Sequence, residues 1–301
     1  MNGRNGWWKP TSQSEIRGFF EHVSHAHLLR FLEHRIADPN LLRIIQRFLK
    51  AGIMEDGVFT AGVEETPQGG LVSPVLSNIY LHYVLDLWFE EHFARRCAGE
   101  AYLIRYADDY VACFEHEADA RAFLEAMTER LAQFDLDVEP SKTALLAFGS
   151  TMLGRKRVEY EGPRTFSFLG FTHYVGRSRR GRFVVGRKNH GQRLRKKLTA
   201  LNARLRALRT QGGNAMVAFL ARHLRGHMQY YGVSGNSRWV ASCIHVATGL
   251  LFKWLNRRSQ KRSLTWAQFD AYLRRWLPTA QIVHDLYPVP WCKTQTGSRM
   301  V

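Results

Sequence analysis

The sequence predicts an α+β domain, antiparallel strands layered with helices, followed by a mainly α-helical domain, and three observations carry that reading. Apolar residues at helical spacing alternate with short β-rich runs as far as about Val175, the pattern of a small sheet covered by helices. Beyond Gly176 the apolar spacing is almost wholly helical. The charge divides in the same region: residues 1–161 carry 17 Lys and Arg against 24 Asp and Glu, whereas residues 162–301 carry 26 against only Asp270 and Asp285. Two domains, 1–175 and 176–301, are the expected division of a 301-residue chain, since one core rarely grows past about 250–300 residues.

Each element follows from a local pattern. Between Ile16 and Lys50 the residues Leu28, Leu32, Leu41, Ile45 and Phe48 fall at helical spacing, with Asp38-Pro39-Asn40 between them, so two short helices are expected. Gly57 to Gln68 is short, β-prone and turn-rich. In the next stretch Ser73 suits an N-cap and Pro74 the first helical position, and Leu76, Ile79, Tyr80, Tyr83, Val84 and Leu87 give the following helix a buried face. Two β-rich runs, Tyr102 to Tyr106 and Tyr110 to Phe114, flank Ala107-Asp108-Asp109, which predicts a hairpin with both acids at its tip. Residues 117–134 read as an amphipathic helix, and Phe166 to Val175 as strand and turn. Arginines then surround a short Phe183-Val184-Val185 strand. Leu194, Leu198, Leu201, Leu205 and Leu208 mark one face of a helix whose other faces carry Arg193, Arg195, Lys196, Lys197 and Arg204. Val217 to Tyr231 and Arg238 to Asn256 are two more helices.

Composition excludes several classes. With 45% hydrophobic residues the chain can form a sizeable core, and its apolar runs fall short of the roughly 20 residues a membrane span needs. Four scattered cysteines, Cys97, Cys113, Cys243 and Cys292, form no zinc or disulfide framework, and a cytoplasmic location is expected. No acidic residue occurs between Gly162 and Phe269. So many unbalanced positive charges in a folded domain point to a polyanionic partner, and nucleic acid fits best.

The chemistry centres on Asp108 and Asp109. Adjacent carboxylates raise each other's pKa unless a cation neutralises them, and Mg²⁺, a hard ion that favours oxygen ligands, is the usual one. A third carboxylate from elsewhere commonly completes a two-metal site for phosphoryl transfer.

Four ordered segments resemble the reverse transcriptases. Tyr106-Ala107-Asp108-Asp109 is similar to the Tyr-x-Asp-Asp box; Pro67-Gln68-Gly69-Gly70 through Ser77-Asn78 resembles the block before it, Glu139-Pro140-Ser141-Lys142-Thr143 the lysine block after it, and Phe168-Leu169-Gly170-Phe171 the primer-grip block. Arg222 to Gly232 and Leu251 to Arg258 resemble the maturase region of bacterial group II intron proteins. The resemblance implies a reverse-transcriptase palm at 1–175, with a remnant of the fingers, and a basic thumb and maturase domain at 176–301. It implies that Asp108 and Asp109 hold catalytic Mg²⁺ and that Gln68 and Gly69 line the incoming nucleotide. Lys142 would lie near the triphosphate, and Phe19 or Phe20 would wall its sugar. Phe168, Leu169 and Gly170 would form the primer grip. The expected partners are an RNA template, a DNA primer, dNTPs and group II intron RNA, the last gripped by Arg193, Arg195, Lys196, Lys197 and Arg204. Each nucleotide contact has a plainer alternative: Phe19 and Phe20 equally suit a core, and Lys142 a solvated turn.

Two departures qualify the resemblance. The family places an aspartate before Ile-x-x-Phe-Phe as its first metal ligand, and here Glu15 precedes Ile16-Arg17-Gly18-Phe19-Phe20. That displaces the carboxylate by one methylene, and misplacement near 1 Å can lower a rate by about 10²-fold. Met1 to Ser14 resembles nothing in the family, so much of the fingers is expected to be missing. The runner-up reading is therefore an impaired or inactive RNA-binding maturase fragment.

Overall fold

The computed structural model describes residues 10–16, 19, 23–50, 53–55, 58–60, 73–139, 143–148, 165–178, 181, 183–257 and 264–286. The chain separates into two compact units, residues 1–169 with 174–184 and residues 170–173 with 185–301. The boundary expected at 175/176 lies inside a single strand, Phe171–Arg177. Composition changes there, but backbone pairing runs on through it.

In the first unit, β1 (Pro10–Glu15), β4 (Ala101–Tyr106), β5 (Asp109–Phe114) and β6 (Ala144–Ala147) form a sheet in the order β4-β5-β1-β6, every neighbouring pair antiparallel. Strand β1 was not legible from its residues: Pro-Thr-Ser-Gln-Ser-Glu has no apolar alternation, and pairing on both sides makes it a strand. A small hairpin, β2 (Ile53–Glu55) and β3 (Val58–Thr60), stands apart.

Helices α1 (His25–Glu33), α2 (Pro39–Lys50), α3 (Ser73–Leu81) and α4 (Glu117–Ala132) lie where periodicity places them. Pro39 opens α2, and the Asn40 N–H donates to the Asp38 carboxylate at 2.8 Å, satisfying one of the orphan donors of a helix start. Beyond Leu81 the α3 chain continues through π-helical turns at His82–Asp86 and Phe89–Phe93. The core joins Tyr80, Leu81, Leu85 and Phe89 of this long helix to Tyr110 and Phe114 of β5 and to Phe123, Met127 and Leu131 of α4, all buried. The Tyr80 hydroxyl donates to the Phe134 carbonyl at 2.9 Å, so the one polar atom of a buried ring is paired.

Strands β7 (Thr165–Phe168), β8 (Phe171–Arg177) and β9 (Phe183–Asn189) form a second sheet in that order. The second unit holds α5 (Gly191–Leu208), α6 (Gly213–Tyr231), α7 (Ser237–Leu255) and α8 (Trp266–Tyr272), the last followed by a 3₁₀ turn, Arg274–Trp276. Leu201, Leu205 and Leu208 of α5 pack with Leu220, Leu224 and Leu251 of α6 and α7, each buried leucine contributing roughly 1.5–3 kcal/mol. A capping box between Thr265 and Gln268 starts α8, and the Trp266 ring stacks on Phe252 at 3.8 Å. No helix among the described residues is long and apolar enough to cross a membrane.

Candidate active site

Strands β4 and β5 are joined by two residues, Ala107 and Asp108, with Tyr106 paired to Asp109. Only Asp108 therefore lies in the turn. Asp109, expected beside it at the tip, is the first paired residue of β5, because the turn needs only two residues. Strand β1 runs antiparallel along the other side of β5 and places Glu15 directly opposite Asp109. Residues opposed in this way have Cα atoms about 4.5–5.5 Å apart. The fold thus brings Glu15, Asp108 and Asp109 to one end of the sheet. Among the described residues no cluster of three or more His, Cys, Asp and Glu side chains converges on a point; the grouping rests on strand register. Its donors are carboxylates, the set a hard divalent cation takes.

The turn is held from behind by a residue the sequence analysis passed over. The guanidinium of Arg105 donates to both carboxylate oxygens of Asp86, Nε to Oδ1 at 2.7 Å and Nη2 to Oδ2 at 2.6 Å. Its Nη1 donates to the Asn78 side-chain oxygen at 3.0 Å and to the carbonyl of Ala107 at 2.9 Å. Ala107 has φ +54°, a left-handed conformation uncommon for a residue with a side chain, and the carbonyl Arg105 grips is that of the strained residue. In the structure β4 exposes Tyr102, Ile104 and Tyr106 and turns Arg105 inward, the reverse of what the apolar alternation alone would place there, and an inward arginine needs a carboxylate.

Of the residues assigned to the nucleotide, Gln68, Gly69, Phe20 and Lys142 lie outside the described residues. Phe19 is 2% exposed, its ring 6.3 Å from that of Tyr80. It packs in the core of the first unit. Beside Lys142, the Thr143 hydroxyl donates to the Glu139 carbonyl at 2.8 Å.

The Phe168-Leu169-Gly170 segment is the tight turn between β7 and β8, with φ +49° at Leu169 and +76° at Gly170, the two positive angles of a type I′ hairpin. Strand β7, which ends at Phe168, runs near β5 within the first unit. In the second unit the Gly170 carbonyl accepts from the His190 N–H at 3.0 Å, at the start of α5. A Cβ on Gly170 would come within 2.8 Å of the Tyr231 hydroxyl oxygen. The Tyr231 ring lies 4.7 Å from that of His227. His227 is 1% exposed, and burial, then Lys197 and His223, push its pKa down to about 4. Its Nδ1 is 3.0 Å from Lys197 Nζ and its Nε2 3.3 Å from Asn189 Nδ2. Both neighbours are donors, and a neutral imidazole has one acceptor nitrogen, so it accepts from only one of them.

Lys197 therefore departs from the outward basic set. It lies one turn before Leu201 on the stripe Leu201-Leu205-Leu208, so it points inward, and burial lowers its pKa. Arg193, Arg195, Lys196 and Arg204 are exposed, as the leucine spacing predicts.

The reverse transcriptase (RNA-dependent DNA polymerase) family model matches residues 9–173, more than half of the chain. The chain belongs to the reverse transcriptase family. The match begins at residue 9, which corrects the expectation that nothing before Glu15 resembles the family and agrees with β1 as part of the sheet. The chain is similar to the group II intron-encoded protein LtrA of Lactococcus lactis subsp. cremoris, 39% identical over 79 residues, 25% of this chain and 13% of that one. It is also similar to protein YkfC of Escherichia coli K12, 28% identical over 190 residues, 52% of this chain and 50% of that one. The chain spans about half the length or less of these curated relatives. Among solved structures, telomerase from Candida albicans in complex with a fragment of telomeric RNA aligns with a TM-score of 0.48 at 9% identity, over 89% of this chain and 49% of that one.

Proposed function

We propose that the chain copies RNA into DNA as part of a group II intron-encoded protein, with its second unit binding intron RNA. The observation that carries this reading is the register of Glu15 with Asp109, beside Asp108 in a turn held by Arg105. Asp108, Asp109 and Glu15 would hold Mg²⁺. When bound, the cation supplies charge neutralisation at the phosphates and acidifies the attacking hydroxyl. The chain's own contribution is positioning: phosphoryl transfer needs little covalent chemistry from a protein and much alignment. A primer 3′-hydroxyl attacks the α-phosphorus of a dNTP, and pyrophosphate leaves. Arg105 keeps the Asp108 turn in one geometry, so the carboxylates need not reorganise as charge develops. The exposed arginines of α5 suit the phosphates and 2′-hydroxyls of duplex RNA, which is read mostly by shape.

A second reading, RNA binding without polymerisation, is favoured by one observation: a glutamate stands where the family carries aspartate. The test is primer extension on an RNA template together with RNA binding, for this chain and its Asp108→Asn/Asp109→Asn variant. Extension lost with binding retained supports the first reading. Binding by both chains and extension by neither supports the second.

A further inference from the structure

In the second unit a cleft of about 530 Å³ opens between α6 and the α8 region. Val217, Ala221 and Leu273 give its lining an apolar part, and Arg222 and Arg225, one helical turn apart, line it together with the Trp276 ring. Arg222, Arg225 and Trp276 are exposed, Trp276 at 59%. Among the described residues neither Arg222 nor Arg225 is in an ion pair, and Asp270 of α8 is paired with Arg274 at 3.6 Å. The Arg275 guanidinium carbon lies 5.4 Å from the Trp276 ring centroid. The cleft thus combines a flat aromatic surface, unneutralised guanidiniums a turn apart and a partly apolar lining, within the size range of small-ligand sites.

We propose that this cleft takes an unpaired nucleotide of the bound RNA, its base against Trp276 and its flanking phosphates on Arg222 and Arg225. The inference rests on the RNA-binding reading given above for the second unit. It adds a second kind of contact to that reading. Helix α5 contains no aromatic residue, so its arginines offer phosphate contacts alone, which suit continuous duplex. A base stacks on an aromatic ring only where it is out of the helix, and an arginine beside it takes the phosphate the distortion exposes. No acidic residue lines the cleft to repel that phosphate.

The test uses the full chain and two RNA hairpins identical except for one single-nucleotide bulge. The expected result is about tenfold tighter binding of the bulged hairpin, a preference that Trp276→Ala abolishes and Trp276→Phe partly keeps, with affinity for the paired hairpin unchanged. Arg222→Ala/Arg225→Ala should also erase the preference, whereas Arg195→Ala/Arg204→Ala should weaken both hairpins alike. Thermal melts of each variant report folding, and Trp276 is exposed enough that its truncation should leave the melt unchanged. Equal affinity of the native chain for the two hairpins, or a preference that survives Trp276→Ala, overturns the proposal while leaving RNA binding standing. Failure of the native chain to bind either hairpin removes the underlying reading as well. An equal preference for the bulge in a DNA duplex overturns RNA as the occupant.

Discussion

Arg105 grips Asp86 with two parallel hydrogen bonds, at 2.7 and 2.6 Å, and with its remaining nitrogen donates to the carbonyl of Ala107 at 2.9 Å. One side chain thus fastens the Asp108 turn to the π-helical stretch beyond α3, which carries Asp86. The side chains of Arg105 and Asp86 are 11% and 26% exposed, so water replaces a lost partner poorly.

Asp86→Ala leaves the Arg105 guanidinium largely buried without its carboxylate and should destabilise the first unit by about 2–4 kcal/mol. Arg105→Lys should cost nearly as much, since an ammonium cannot reproduce the planar two-pronged contact while also reaching Ala107. Chemical denaturation measures both. A loss below about 0.5 kcal/mol for either would deny the pair a structural role.

The strained residue makes the opposite prediction. Glycine adopts the left-handed region without the steric penalty alanine bears, so Ala107→Gly should stabilise the first unit by about 0.5–1 kcal/mol. Ala107→Val, branched at Cβ, should destabilise it by more than that. Urea midpoints of the two variants, moving in opposite directions from the native chain, are the check; movement in the same direction would mean that the turn does not hold φ near +54°.

Buried histidines set an acid limit on the second unit. His227 and His173 both have pKa values pushed down to about 4 from 6.5, chiefly by burial. The unfolded chain therefore binds more protons than the folded one between pH 6.5 and 4, and stability must fall as pH drops through that window. A shift of this size corresponds to about 3 kcal/mol per histidine, and residual solvent screening reduces it to on the order of 1–2 kcal/mol. His223 is also pushed down by burial, so His227→Gln removes one of several such titrations, and the loss of melting temperature between pH 6.5 and 4.5 should be clearly smaller than in the native chain. An unchanged slope would mean that His227 is not held neutral by its surroundings.

The exposed face of α5 predicts a salt effect. If Arg193, Arg195, Lys196 and Arg204 meet phosphates, RNA affinity falls steeply with salt, and each arginine removed lowers the log–log slope by a little under one. Arg195→Ala/Arg204→Ala should therefore flatten the slope by between one and two. Lys197→Ala should leave the slope unchanged and lower stability instead, since its ammonium faces His227.

How far the sequence could be read depended on whether a residue's environment was local. Helix α5 was legible because five leucines at its spacing can bury together only on a helix, and the same logic placed α3, α4, α6 and α7. Strand β1 was not, because its polar residues become a strand only through neighbours far along the chain, and β6 and α8 were missed for want of a strong pattern. The hairpin was legible from its two β-rich runs, but which acid occupies the turn depends on loop length, which the residue types leave open. Glu15 was named through resemblance, and its place opposite Asp109 is a fact of register. Arg105 and Asp86 belong to segments separated in sequence, and nothing in either alone marks them as partners.

The most direct measurement of the central claim is the rate of primer extension on an RNA template across a Mg²⁺ titration, for this chain and for Glu15→Asp. If Glu15 shares a cation with Asp108 and Asp109, both chains extend the primer, and the aspartate variant does so faster, by about ten- to a hundredfold, at a lower Mg²⁺ requirement. Identical rates and identical Mg²⁺ dependence in the two chains, or no extension by either while both remain folded, would contradict it.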